Sequence, residues 1–320
     1  VTVRCKITKG AHPAWGDACY LLVWTTTPWT LLTNLAICAG PEIDYVAVKD
    51  TDGSVYILAE ARLNAVFGKT VATIEILERF KGQALEGLRY EPIFPQYKDK
   101  PNAFQVLVDN YVTTTDGTGL VHNSPAYGED DFRVCSAAGI ALEDPLDEAP
   151  EAWRGRFCKD CDKDIIKALK NNGKLVHQAT IVHSYPFCDR TDTPLIYRAI
   201  DAWYVRVEDL HDRLTQNNST VHWQPEAVGA NRFGNWLREA KDWNISRNRF
   251  WGSCLPVWIN EANPSDMICI GSVAELEALS GQPITDLHKH FIDKIVIHRE
   301  GKTYRRTPEV LDCWFESGSM

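Results

Sequence analysis

The chain has 320 residues, 44% of them hydrophobic and 24% charged, a balance that fits an ordinary globular protein and excludes disorder of the whole. Its formal net charge of -9 excludes a protein that coats nucleic acid by sheer positive charge, and no apolar run approaches the about 18 residues of a membrane span. The opening VTVRCKITKG lacks the charged-then-apolar order of a secretory signal, so a cytoplasmic protein is expected, with its ten scattered cysteines reduced.

Between about residues 20 and 110, short apolar runs alternate with turn residues: YLLVW, NLAICA, YVAVK, SVYILAE, IEIL and FQVLVD, each of strand length. The pattern predicts a largely antiparallel barrel or sandwich, and a closed barrel removes the exposed edges that such strands would present. Helices are few there, 60–67 being the best. The string GTGLVHNSP is a glycine turn feeding a strand, and it leads into a helix predicted over 129–138, whose acidic start suits the positive end of a helix. Another helix is predicted over 163–172, with Ile165, Ile166 and Leu169 on one face and Gly173 as its stop. Strands LVHQATIVHSY and WYVRV follow.

After about Val207 the texture turns helical, with helices predicted over 234–243 and after Ser272, which has Glu275 at capping-box spacing and Gly281 as a stop. The expectation is an α+β chain: a barrel-centred domain with peripheral helices over 1–207, and a mostly helical segment over 208–320. The start at Val1 and the stop at Met320, directly after LDCWFESGSM, point to an excised fragment.

Several segments hold chemistry. Thr25, Thr26 and Thr27 precede Pro28 on a stiff turn where hydroxyls can bind a ribose or carboxyl edge, although strand propensity also accounts for them. Residues 117–131 gather His122, Asn123, Ser124, Glu129, Asp130 and Asp131 where a strand enters a helix, a usual place for binding groups. The structural alternative for the acids is charge favoured at a helix start. Cys158 and Cys161 have CxxC spacing, but Thr191 stands where a second pair begun by Cys188 would have to close, so no four-ligand zinc site is expected. No GxxxxGKS or GxGxxG string supports nucleotide binding. Arg232, Arg238, Lys241, Arg247 and Arg249 interleave with Phe233, Trp236 and Trp243, which fits either nucleic-acid ends or a helix packing both tryptophans on a neighbour.

Taken jointly and in order, WTTTPWT with Asn34 downstream, GTGLVHNSPAYGEDD, HSYPFCDRTDTPLIYRAIDAWYVRV, NWLREAKDWNISRNRFWG and VLDCWFESGSM resemble the editing insertion of isoleucyl-tRNA synthetases. The likeness covers nearly all of the chain and has the flavour of the eukaryotic cytosolic type. Relatives that edit valyl- and leucyl-tRNA typically read TTRP where this chain has Thr27-Pro28-Trp29.

The resemblance implies a β-barrel editing domain of the Val/Ile/Leu type, inserted in a Rossmann-type catalytic domain, that hydrolyses tRNA carrying the wrong amino acid. Isoleucine against valine is itself the standard example of the underlying limit: a pocket cannot strongly reject a substrate smaller by one methylene, so a second, hydrolytic pocket is needed. By the same resemblance Asp131 receives the substrate's α-ammonium group, and His122 lines the side-chain pocket as a size filter rather than a base. Thr25, Thr26 and Thr27 surround the ester and terminal adenosine, Thr26 and Thr27 joining Asp131 in the catalytic set by orienting a water. Asn34 extends the threonine segment, and Trp203 guides the tRNA end.

Neither metal nor cofactor is implied within the chain. ATP and magnesium belong to the full-length enzyme's catalytic domain, whose activation motifs are absent here, so the fragment is not expected to charge tRNA. The implied partners are the tRNA(Ile) 3′ end carrying valine and the rest of the synthetase, with no membrane. Two departures stand out: Thr191 replaces a cysteine of some bacterial relatives, and LEDPLDEAPEAWRG is more compact than expected. A silent tRNA- or domain-binding module is the competing reading.

Overall fold

Branched and aromatic residues dominate the runs that become strands in the computed structural model of the chain, which describes residues 1–143, 153–180 and 184–319. These residues group into two units, Val1–Ala199 and Ile200–Met320.

In the first unit the strands are β1 (Thr2–Lys9), β2 (Cys19–Trp24), β3 (Ala36–Ala39), β4 (Asp44–Lys49), β5 (Val55–Ala59), β6 (Glu75–Lys81), β7 (Arg89–Tyr90), β8 (Gln105–Val108), β9 (Leu120–Asn123) and β10 (Leu175–His177). Strands β1, β7, β8, β3, β9 and β2 are hydrogen-bonded in that order, and β2 returns to β1 through pairs running from Thr2 opposite Trp24 to Lys6 opposite Tyr20. Six strands therefore close a barrel. Strands β5, β4 and β6 continue outward from β2, and β10 adds to β1.

All six expected runs are strands, and the sheet is largely antiparallel as expected, with parallel pairing of β2 with β5 and β9 and of β3 with β8. Parallel neighbours need long connections rather than tight turns, and each of these pairs is joined by one. The opening strand went unread, although Val3, Cys5 and Ile7 alternate with Arg4, Lys6 and Thr8 at the two-residue period of a half-buried strand. The odd members of that set enter the barrel core with Leu21, Val23, Ile37, Val106 and Leu120.

Helices α1 (Leu63–Phe67), α2 (Glu129–Ala137) and α3 (Asp162–Asn171) lie where helices are expected. On α3, Ile165 and Leu169 are buried in the barrel's core cluster, which seats the helix against the barrel. The run LVHQATIVHSY is a strand only over β10, and its residues 181–183 lie outside the described residues. Most of the acidic stretch, residues 144–152, also lies outside them.

The second unit corrects the expectation of a mostly helical segment. Short ladders join β11 (Tyr204–Val205) to β12 (Trp243–Asn244) and β13 (Ser246–Arg247) to β18 (Val310–Leu311). An antiparallel sheet of β14 (Val257–Asn260), β15 (Asn263–Cys269), β16 (Val296–Arg299) and β17 (Lys302–Arg306) runs in the order β15-β14-β17-β16. Its overlooked signal is the two-residue loop Glu300-Gly301, where both φ angles are positive, at 53° and 74°, as a twisted hairpin turn requires.

Helices α4 (His211–Asn218), α5 (Gly234–Arg238) and α6 (Val273–Ser280) do occur. The helix predicted over 234–243 ends at Arg238, because Trp243 leaves it to pair with Val205, so Trp236 and Trp243 share no helix face. Trp236 packs on Phe233 at 5.5 Å between ring centres, and Trp243 on Phe315 at 5.7 Å. At α6, the Ser272 hydroxyl accepts the Glu275 N–H at 3.1 Å and Gly281 closes the helix in the left-handed region. No helix among the described residues is long and apolar enough to cross a membrane.

Candidate functional site

A cleft of about 400 Å³ opens beside the ends of β2 and β9, lined by Trp24, Thr25 and Thr26, by the 111–119 loop, by His122, and by Tyr127 and Asp131. Local sequence shapes each wall. Pro28 starts a 3-10 turn over Pro28–Thr33, so the chain folds back on itself just after the threonines. On the opposite rim Gly117 and Gly119 hold φ values of 67° and 77°, and a side chain at Gly119 would sit 2.3 Å from Ala59 Cβ. Arg62 braces this rim by donating to the carbonyls of Thr115 and Gly117, each at 2.9 Å.

The threonine hydroxyls form a hydrogen-bonded chain. Thr25 Oγ1 lies 3.3 Å from Thr27 Oγ1, which lies 3.2 Å from Thr30 Oγ1, which lies 3.0 Å from His122 Nε2. The Thr30 hydroxyl also lies 2.8 Å from the Thr27 carbonyl, to which it can donate. The buried Nδ1 of His122 has no partner among the described residues. Burial pushes the His122 pKa down to about 4, which leaves the ring neutral at pH 7. Thr26 is exposed on the cleft, while Thr27 is half-buried behind Thr25.

Asp131 enters from the first turn of α2, where a negative charge suits the helix end. Its Oδ2 accepts the Ser124 N–H at 2.8 Å and its Oδ1 accepts from Asn123 Nδ2 at 3.0 Å. Burial raises its carboxyl above the ordinary carboxylate range, and these hydrogen bonds oppose the rise. From α3, Asp162 accepts the Trp29 N–H at 3.0 Å and so ties the threonine turn to the helix; burial pushes its carboxyl up to about 6.

Thr25, Thr26, His122 and Asp131 thus meet on one cleft, with Thr27 a hydrogen bond behind. Asn34 does not join them: it is buried, with Nδ2 donating to the Ala36 carbonyl at 2.9 Å and Oδ1 accepting from the Tyr90 hydroxyl at 2.8 Å. Trp203 belongs to the second unit, where its Nε1 donates to Thr307 Oγ1 at 3.4 Å and its N–H to Ser246 Oγ at 2.9 Å. Cys158 and Cys161 pack into the barrel core, and burial raises the thiol pKa of each. Among the described residues no group of three or more His, Cys, Asp or Glu side chains is placed to hold a metal ion.

Sequence reasoning missed Thr30, Tyr111 and Asp162. Thr30 lies inside WTTTPWT, one turn beyond Thr27, and was legible; nothing in the sequence marks the other two as neighbours of the cleft.

The family model for class I tRNA synthetases (I, L, M and V) matches residues 17–320. The chain belongs to this family. It is 51% identical over 316 residues to the cytoplasmic isoleucine-tRNA ligase of Mus musculus, covering 94% of this chain and 25% of that protein. It is 49% identical over 332 residues to the isoleucine-tRNA ligase of Bdellovibrio bacteriovorus, covering 100% and 31%. This class I synthetase segment therefore spans about a quarter to a third of the length of these relatives. Among solved structures it is similar to the cytosolic leucyl-tRNA synthetase editing domain of P. knowlesi, at a TM-score of 0.40 and 11% identity, covering 62% of this chain and 95% of that one. A score that low carries no functional weight, so the site must speak through its own geometry.

Proposed function

We propose that this segment is the editing centre of an isoleucine-tRNA ligase and that it hydrolyses valine from mischarged tRNA(Ile). One observation carries the reading: a half-buried carboxylate, a chain of threonine hydroxyls and a neutral histidine ring line a single cleft. Asp131 takes the substrate's α-ammonium group through a charge-assisted contact. Thr25, Thr26 and Thr27 hold the ester and terminal adenosine and orient a water. The water oxygen bonds to the ester carbonyl carbon, the ester C–O bond breaks, and the proton passes to the departing ribose oxygen, releasing valine and tRNA.

Held geometry and fixed dipoles supply the acceleration, with no covalent intermediate. His122 offers bulk rather than a proton, since a group with a pKa of about 4 is unprotonated at pH 7, and its ring crowds the place of isoleucine's extra methylene. Asn34, engaged at both ends of its amide inside the barrel, has no part in this scheme. ATP and magnesium chemistry is assigned to the part of the synthetase beyond this chain's span. The partners are the aminoacylated tRNA 3′ end and that remaining part, in the cytoplasm.

Single-turnover deacylation of valyl-tRNA tests the reading, with isoleucyl-tRNA as the control ester and the same substitution repeated in the full-length synthetase. The expected result is valine-selective hydrolysis that Asp131→Asn lowers by about 10- to 150-fold. Tight binding of valyl-tRNA without turnover in both settings identifies a silent binding module instead.

A further inference from the structure

Asp131 is held from behind by a second pair of residues. Asn123 Nδ2 donates one hydrogen to Asp131 Oδ1 at 3.0 Å and its other hydrogen to the Tyr111 hydroxyl oxygen at 2.7 Å. A carboxylate only accepts, so the direction of the first bond admits no alternative. Asn123 is completely buried, and its own Oδ1 has no partner among the described residues. An orphaned buried acceptor is unfavourable. Turning the amide over would set that oxygen against the Asp131 carboxylate, which is worse, so the orientation is kept for what the nitrogen holds.

Tyr111 is itself anchored. Its N–H donates to Asp109 Oδ1 at 3.1 Å, and Arg133 of α2 grips the Asp109 carboxylate through both terminal nitrogens, at 2.8 and 2.9 Å. Its ring packs with Cys38, Val112 and Val134 and lines the cleft. The 109–111 segment, β9 and α2 thus meet at one carboxylate.

We propose that Tyr111 and Asn123 are positioning residues that fix the Asp131 carboxylate toward the cleft, and that they thereby set its preference for a substrate bearing a cationic amine. The inference rests on the reading of Asp131 as the ammonium-binding group. Neither residue touches the ester; both act through Asp131.

The test compares two stable ligands: an adenosine whose 3′ position carries valine through an amide in place of the ester, and its counterpart lacking the α-amine. Binding of each to the 320-residue chain is measured by calorimetry for the unsubstituted protein, Tyr111→Phe and Asn123→Ala. Tyr111→Phe keeps the ring and its packing, so it reports even where Asn123→Ala fails to fold. The unsubstituted protein is expected to prefer the amine-bearing ligand, and each variant to lower that preference about fivefold, the scale of one lost hydrogen bond, with the amine-free ligand bound nearly as before. A preference unchanged in the variants, or both ligands weakened equally, overturns the positioning role while leaving the functional reading intact. No preference in the unsubstituted protein overturns that reading, and the positioning role falls with it.

Discussion

At the scale of single residues, the cleft depends on two groups whose pKa burial has moved, His122 downward and Asp131 upward. For Asp131, hydrogen bonds to charged groups contribute about 1.5–3 kcal/mol, so Asp131→Asn should lower kcat/KM for valyl-tRNA hydrolysis by about 10- to 150-fold. The experiment is the deacylation assay described above, and an unchanged rate would remove Asp131 from the mechanism. For His122, a folded-state pKa of about 4 against an ordinary 6.5 means that the unfolded chain binds a proton in that window and the folded chain does not. Its contribution to stability is whole above pH 6.5 and is lost as pH falls toward 4. Urea unfolding at pH 7 and pH 5 should therefore show His122→Gln losing about 2 kcal/mol less stability on acidification than the unsubstituted protein. Asp131 and Asp162 act in the opposite direction, but they are common to both proteins and cancel in the comparison.

At the scale of elements, α3 is the clearest link between packing and site. Its period puts Ile165 and Leu169 into the barrel core, and the same placement brings Asp162 at its first residue to the Trp29 N–H. Leu169→Ala should destabilise the protein by about 2–5 kcal/mol, measured by urea unfolding, whereas Lys167→Ala on the exposed face should change stability by less than about 0.5 kcal/mol. Equal effects from both would mean that α3 is not seated as described. The element that misled the reading from sequence, 234–243, is amphipathic enough to pass for one helix. It breaks because Trp243 gains a strand partner in Val205, which lies far from it in the chain.

At the scale of the whole molecule, the barrel closes entirely within the first unit, its six strands and core cluster all lying before residue 200. A chain cut after Ala199 is therefore expected to unfold in one cooperative transition and to keep its affinity for the amide-linked valyl-adenosine ligand within about threefold. Loss of the cooperative transition would show that the barrel needs residues 200–320.

The sequence by itself determined the strand-rich texture, the helices α1 to α3, and the two strings that line the cleft. Those signals are local: hydrophobic period, glycine where φ is positive, proline where the turn begins. Tertiary structure alone decided that β2 pairs with β1 and so closes the barrel, that Asn34 turns inward to Tyr90 while Thr25 and Thr26 face the cleft, and that Tyr111 and Asp162 stand behind the site. Each of those outcomes joins residues that are distant in the chain, and which distant groups meet is settled by burial and hydrogen-bond satisfaction over the whole fold.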